Sequence, residues 1–457
     1  MSDQVGVGTG GMIPPSQAGV GGRGAATVFV LRILSAGLML ALQVLLARLM
    51  TQADFGIYVL IWTWLLALAS FAGFGFPEAA VRFLPRYLVR KRGRDLWGFF
   101  WVGLAVIVFG ATIAAALMVV ASTFIPSNHV ARFVLIVVAA GLPFLALEYF
   151  LEGCARSFGW VTLTTGPSYV LRPLLIGLGV GFAAMLGVTI DGSLVAVILI
   201  VSMVAISSGL LILVVLRMHK LAKPAEPSAV TVHRARHWFA ASLPLLAVSG
   251  FEDLLTYSDV VLLGMLVTAE EVAVYFAAAR SMALASFVYY AFYMVAGRGF
   301  SLAVGARDRE LLQARVHEAT RLTFWCTLGA LIVTLAAGQM VLSLFGPAFQ
   351  TGYTVMLILA AGFLARSASG QAADLMIITG RARIMLSITV AALLLNLMAT
   401  LLLTPWFGIE GAAAATALTM ALRAAGLSWA AWNYAGISML QLPITRLSQQ
   451  ARFQAPS

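Results

Sequence analysis

Between residues 25 and 434 the chain is a succession of apolar stretches, each of about 20 residues or more. They fall near 25–50, 56–81, 97–122, 132–153, 168–188, 193–216, 239–265, 272–297, 322–343, 353–379, 384–404 and 411–434. A helix needs about 20 apolar residues to cross the roughly 30 Å hydrocarbon layer. Inside lipid, only a helix or a closed barrel satisfies its own backbone hydrogen bonds. Stretches of this length, with no ten-residue alternating pattern, predict an all-α polytopic membrane protein of twelve transmembrane helices. Composition supports that class, since 61% of residues are hydrophobic and 10% charged, against about 25% charged in a soluble domain.

The net charge is +11, and its placement decides what it means. With both termini on the cytoplasmic side, the inward segments hold about three quarters of the 29 lysines and arginines, as the positive-inside rule requires. The outward loops are acidic instead, with Asp54, Asp191, Glu270, Glu271 and Glu410. The basic balance therefore reports orientation and contact with anionic membrane lipid, and nucleic acid is not an expected partner. Those outward loops are also short, the longest spanning 123–131 and 344–352, so no domain large enough for catalysis is expected there. Cys154 and Cys326 fit neither a disulfide framework nor a metal spacing. No Walker loop, Ser-His-Asp set or His-Glu-x-x-His motif occurs. The expectation is a protein without cofactor or metal that is not an enzyme.

Residues 1–24, with eight glycines and two prolines, read as a flexible cytoplasmic tail rather than a cleaved signal. Beyond it the sequence repeats itself. Thr51, Asp54 and Tyr58 fall on Thr268, Glu271 and Tyr275 at a shift of 217, and Ile190-Asp191-Gly192 returns as Ile409-Glu410-Gly411 at a shift of 219. Six helices per half return the chain to its starting side, so the halves are parallel repeats, a plan in which substrate binds between them. The expected organisation is a six-helix bundle over 25–216, a basic linker over 217–238, a second bundle over 239–435 and a tail over 436–457.

Ionisable groups inside spans are costly, about 2.5–3.5 kcal/mol each on insertion scales, and mark functional positions. The seventh span carries Ser242, Ser249, Glu252, Thr256 and Asp259 on one helical face, flanked by Asp253. This reads as a stripe lining a hydrated cavity, with Glu252, Asp253 and Asp259 as coupling or gating groups. Asp259 lies ten residues before the turn near Ala269 and Arg280 eleven after it, so both sit about 15 Å deep. They are expected to face each other, either as a structural tie or as a gate. Arg32, Arg172 and Arg366 are further cations within spans, and Gln43 shares a face with Arg32. The planar guanidinium suits phosphate oxygens, so Arg32, Arg172, Arg280, Arg366 and Gln43 are the candidate substrate-binding residues. Glu78, Glu148, Glu152 and Arg423 fall near helix ends and read as interfacial. Gly177, Gly179 and Gly181 read as a close-packing surface.

The segments Ala47-Arg48-Leu49-Met50-Thr51, Asp54-Phe55-Gly56-Ile57-Tyr58, Gly73-Phe74-Gly75 and Arg82-Phe83-Leu84-Pro85 resemble the opening of the polysaccharide transporters. These are the O-antigen and exopolysaccharide flippases of the superfamily that also holds multidrug and toxin extruders. Asp259 through Gly264, Val274-Tyr275 and Ala277 through Arg280 look like that family's seventh and eighth spans, and Phe407 through Ala413 its last turn. The resemblance covers about residues 25 to 435. It implies two bundles forming a V around a central cavity, alternating access, and a lipid-linked oligosaccharide on undecaprenyl pyrophosphate as substrate. It also implies coupling to protons or sodium, a bacterial inner membrane and a place beside other polysaccharide biosynthesis proteins. A cation-coupled multidrug antiporter of the same fold is the competing reading.

Overall fold

The computed structural model describes residues 22–124, 129–222, 232–306 and 308–439, with side chains described from residue 35 onward and omitted at 232–233, 283–284, 286–299 and 301. Residues 1–21 and 440–457 of the expected tails, residues 223–231 of the linker and the side chain of Arg32 lie outside the described residues.

All described regular structure is helical. The first half holds α1 (Gly22–Leu49), α2 (Gln52–Ala72), α3 (Phe76–Val89), α4 (Gly93–Thr123) and α5 (His129–Ser157), then α6 (Val161–Gly166), a π-helical turn (Pro167–Leu171), α7 (Arg172–Met185) and α8 (Gly192–Leu221). The second half holds α9 (Val232–Leu266), α10 (Ala269–Gly305), α11 (Arg309–Ala336), α12 (Gly338–Phe345), a 3-10 turn (Pro347–Gly352), α13 (Tyr353–Ala368), α14 (Ala372–Ile378) and α15 (Ala382–Ala430). Nine helices among the described residues are long and apolar enough to cross a membrane. Each of the twelve expected stretches falls on helix, because within lipid no other open structure satisfies the backbone. The exposed Trp101, Phe109, Ile113 and Leu117 of α4 form a lipid-facing surface of the kind the composition demands.

Three stretches are less simple than their hydropathy. Residues 56–81 break at Phe74 (φ 48°) and Gly75 (φ 71°), after which α3 starts with Pro77 in its first turn. Residues 353–379 break at Gly370 (φ 52°), between α13 and α14. Gly408 (φ 56°, ψ −139°) reverses the chain inside α15, a conformation that favours glycine. The glycine surface is smaller than expected: a Cβ on Gly179 would lie 3.0 Å from Ile198, whereas Gly181 faces open space.

The repeat has a structural cause in its caps. Thr51 accepts a hydrogen bond from the Asp54 N–H at the start of α2, and Thr268 accepts one from the Glu271 N–H at the start of α10. Asp54 then accepts from the Gly192 N–H, tying α2 to the start of α8 at 3.0 Å. Such caps satisfy backbone donors that a helix start leaves open.

The two halves meet along α2. At the acidic-loop end Arg48 donates to the carbonyls of Leu344 (2.6 Å) and Ser343 (2.5 Å), and Gln52 donates to the Glu270 carbonyl (3.0 Å). Phe55 packs there against Phe276, Phe345 and Phe349, with ring centroids 6.0–6.5 Å apart. Toward the basic end, α3 and α4 meet α9. Trp238 donates to the Tyr87 hydroxyl at 2.8 Å, and Arg234 pairs with Asp95. A Cβ on Gly75 would lie 2.2 Å from the Ser242 carbonyl, so only glycine permits this approach.

Candidate functional site

In the first half a buried polar network joins α5 to α7. Glu148 is fully buried and forms an ion pair with Arg172, itself 4% exposed. The Ser168 hydroxyl lies within hydrogen-bonding reach of both Glu148 and Glu152. The Arg172 guanidinium also rests over the Trp62 ring, 5.2 Å from its centroid. Local sequence explains the arrangement. Glu148 and Glu152 are four residues apart on α5, and Ser168 and Arg172 four apart across the π-helical turn, so two polar faces oppose each other. In that turn the Arg172 N–H donates to the Pro167 carbonyl. Turns of this kind are frequent at functional sites. The interfacial reading of Glu148 and Glu152 is thus corrected: i,i+4 spacing, rather than distance from the helix end, sets where they face.

Between the halves lies Arg280 on α10, half-buried, with Tyr58, Tyr169 and Tyr257 as its electrostatic neighbours. Tyr58 of α2 also neighbours Arg172, so the guanidinium groups of the two halves share one tyrosine. Among the described residues no ion pair joins Arg280 to a carboxylate within 4.0 Å. The expected Asp259–Arg280 pair therefore does not form. Asp259 instead accepts a hydrogen bond from the Tyr275 hydroxyl at 2.6 Å. The five residues from Tyr275 to Arg280 turn the helix by about 140° and advance it by about 7.5 Å. Tyr275 is turned to Asp259, and Arg280 to Tyr257, Tyr58 and Tyr169.

The seventh-span stripe is one face, as its spacing requires, but much of that face is turned into the second half. Glu252 forms an ion pair with Arg423 of α15 and accepts from Thr389 at 3.0 Å, so Arg423 is turned into the second half rather than to an interface. Ser258 donates to Asn396 at 2.9 Å. Of the stripe itself, Thr256 alone is exposed; Ser242 and Asp259 are buried, and Ser249 and Glu252 are half-buried. Asp253, about 100° round the helix from Glu252, points to the first half and accepts from Ser70 of α2 at 2.6 Å. Gln43 on α1 is buried, and its Oε1 has no hydrogen-bond partner among the described residues. Arg366 is half-buried in the last turn of α13. The structure thus brings Arg172 and Arg280 together around Tyr58, and sets Asp259 and Glu252 apart from them.

A family model described as "Polysaccharide biosynthesis protein" matches residues 22–297. No curated protein sequence matches significantly. Among solved structures, an inward-facing multidrug resistance MATE family transporter of the MOP superfamily superposes with a TM-score of 0.67 at 14% identity, covering 94% of this chain and 96% of that one. The lipid II flippase MurJ, in an inward closed conformation, gives a TM-score of 0.65 at 14% identity over 89% of this chain and 87% of that one. A MOP superfamily transporter from Pyrococcus furiosus gives 0.58 at 17% identity over 88% and 92%. These likenesses show the fold: the helices are arranged as in MOP-superfamily transporters.

Proposed function

Because the chain belongs to the polysaccharide biosynthesis protein family, we propose that it is an alternating-access flippase for a lipid-linked oligosaccharide. The substrate is of the undecaprenyl pyrophosphate type and moves from the cytoplasmic to the periplasmic leaflet of a bacterial inner membrane, with both termini cytoplasmic. The observation that carries this reading is Arg280, a half-buried cation between the halves whose electrostatic neighbours are tyrosines. A guanidinium stays charged at any plausible burial and presents a planar fork to phosphate oxygens. Buried positive charge repels a cationic drug by the same logic. Two carboxylates that a multidrug antiporter would offer to such a drug, Glu252 and Asp259, are already engaged by Arg423 and Tyr275. Contacts of Arg48, Gln52 and Phe55 across the acidic-loop end support a state closed there.

A deletion strain tests the proposal. Loss of surface polysaccharide with accumulation of the cytoplasm-facing lipid-linked intermediate is the expected result, restored by the wild-type gene and not by Arg280→Gln. Normal surface glycan with new sensitivity to cationic dyes would overturn it in favour of the antiporter.

A further inference from the structure

Counting protons in the first-half network leads to a site that the substrate reading leaves unused. The Ser168 hydroxyl contacts a carboxylate oxygen of Glu148 and one of Glu152. A hydroxyl has one hydrogen to donate and lone pairs to accept with. It satisfies two neighbours of this kind only if one of them is itself a protonated acid donating back. Glu148 is the ion-pair partner of Arg172, so the acid is Glu152. Charge points the same way: one buried arginine balances one buried carboxylate, and a second, ionised, would have only the exposed Arg156 one turn away to offset it.

We infer that Glu152 is a proton-binding site, and that Glu152–Ser168–Glu148 is a relay which neutralises Glu148 when Arg172 is drawn to an anion. The two ends of the relay differ in access. Glu148 is fully buried, whereas Glu152 is half-buried, one turn from the exposed Arg156. Arg172 has a donor to spare, since its Nε is buried without a partner. As the guanidinium shifts to a phosphate, the Glu152 O–H bond breaks and its proton passes to Ser168 Oγ, while the Ser168 hydroxyl proton passes to Glu148. Glu152, left ionised, takes a proton from water. The sum is one proton taken up and no ion left bare.

The groups around Glu152 are few. Arg156, Glu148 and Tyr149 lie on α5 itself, and Ser168 and Arg172 face it from the π-helical turn and α7. Glu78 of α3 and Asp253 of α9 stand one neighbour further out, beside Arg156 and Tyr149. Apart from Tyr58, α2 carries its ionisable group only near one end, at Asp54. In α4 and α8, which also pack on α5, such groups lie only at the ends: Arg94 and Asp95; Arg217, His219 and Lys220. The inference rests on the flippase reading only for the identity of the anion.

Infrared spectroscopy of the purified full-length protein at neutral pH tests it without any ligand. The carbonyl stretch of a protonated carboxyl is expected in the wild type, and one component is lost in Glu152→Gln. That variant copies the neutral acid and keeps the Ser168 contact. Ser168→Ala is expected to shift this component in frequency, and Arg172→Met to double its intensity by leaving Glu148 protonated as well. A Glu152→Gln spectrum that superimposes on the wild type overturns the site, and an Arg172→Met intensity equal to wild type overturns the relay. The glycan assay in cells separates the two claims. Flipping without the band leaves the flippase reading standing alone, and the band without flipping leaves the proton site standing alone.

Discussion

Arg172→Met removes the cation from an ion pair whose side chains are 5% and 0% exposed. Breaking a buried pair by deleting one partner costs about 3–5 kcal/mol, because the survivor is left as an uncompensated charge. The lost cation–π contact with Trp62 adds about 1–2 kcal/mol at a desolvated site. At about 1.4 kcal/mol per tenfold, the unfolding equilibrium shifts by at least a hundredfold. Replacing both members, Glu148→Gln with Arg172→Met, removes the stranded charge and recovers most of the loss, as apolar or neutral replacements of buried pairs do. The protein contains its own reporter: Cys154 is fully buried on α5, beside the network, while Cys326 is exposed. In a Cys326→Ser background a thiol-reactive dye reads unfolding through Cys154 alone. Expected are a large destabilisation for Arg172→Met, a much smaller one for the double variant, and a coupling energy well above 1 kcal/mol. The penalty is largest in alkaline buffer and falls toward neutral pH, where Glu148 discards its charge by taking a proton; pH has less effect on the double variant. Additive losses below about 1 kcal/mol each, or an Arg172→Met penalty unchanged between alkaline and neutral buffer, would refute the buried-charge reasoning.

The Glu252–Arg423 pair is more open, with side chains 32% and 14% exposed, so Arg423→Met costs less, about 1–2 kcal/mol; the same dye assay checks it. Gly75→Ala sets a methyl 2.2 Å from the Ser242 carbonyl of the other half at φ 71°; the expected outcome is a lowered unfolding temperature together with loss of surface glycan. Arg48→Ala removes both hydrogen bonds to the Ser343 and Leu344 carbonyls; labelling of a cysteine introduced at the acidic-loop end is expected to rise while overall stability changes by less than about 1 kcal/mol.

Hydropathy alone determined that this chain lives in a bilayer as helices, because the length of an apolar run and the need to satisfy every backbone group leave no other choice. The repeat was legible for a similar reason: Thr51 with Asp54 and Thr268 with Glu271 are local capping pairs, and local geometry is written in short-range sequence. Within a helix, spacing also gave the right face, as Glu252 and Asp259 do point the same way into the second half. A face has no address until its neighbours are known, however. The Asp259–Arg280 pairing did not form, and Tyr275 took the place assigned to arginine. The partners Arg423 and Glu252 are 171 residues apart, and Ser70 and Asp253 are 183 apart. No periodicity connects positions so distant, because what joins them is which helices pack together and how each is turned about its axis. That choice is made by the sum of many packing contacts across the whole bundle, and only the folded structure carries it out.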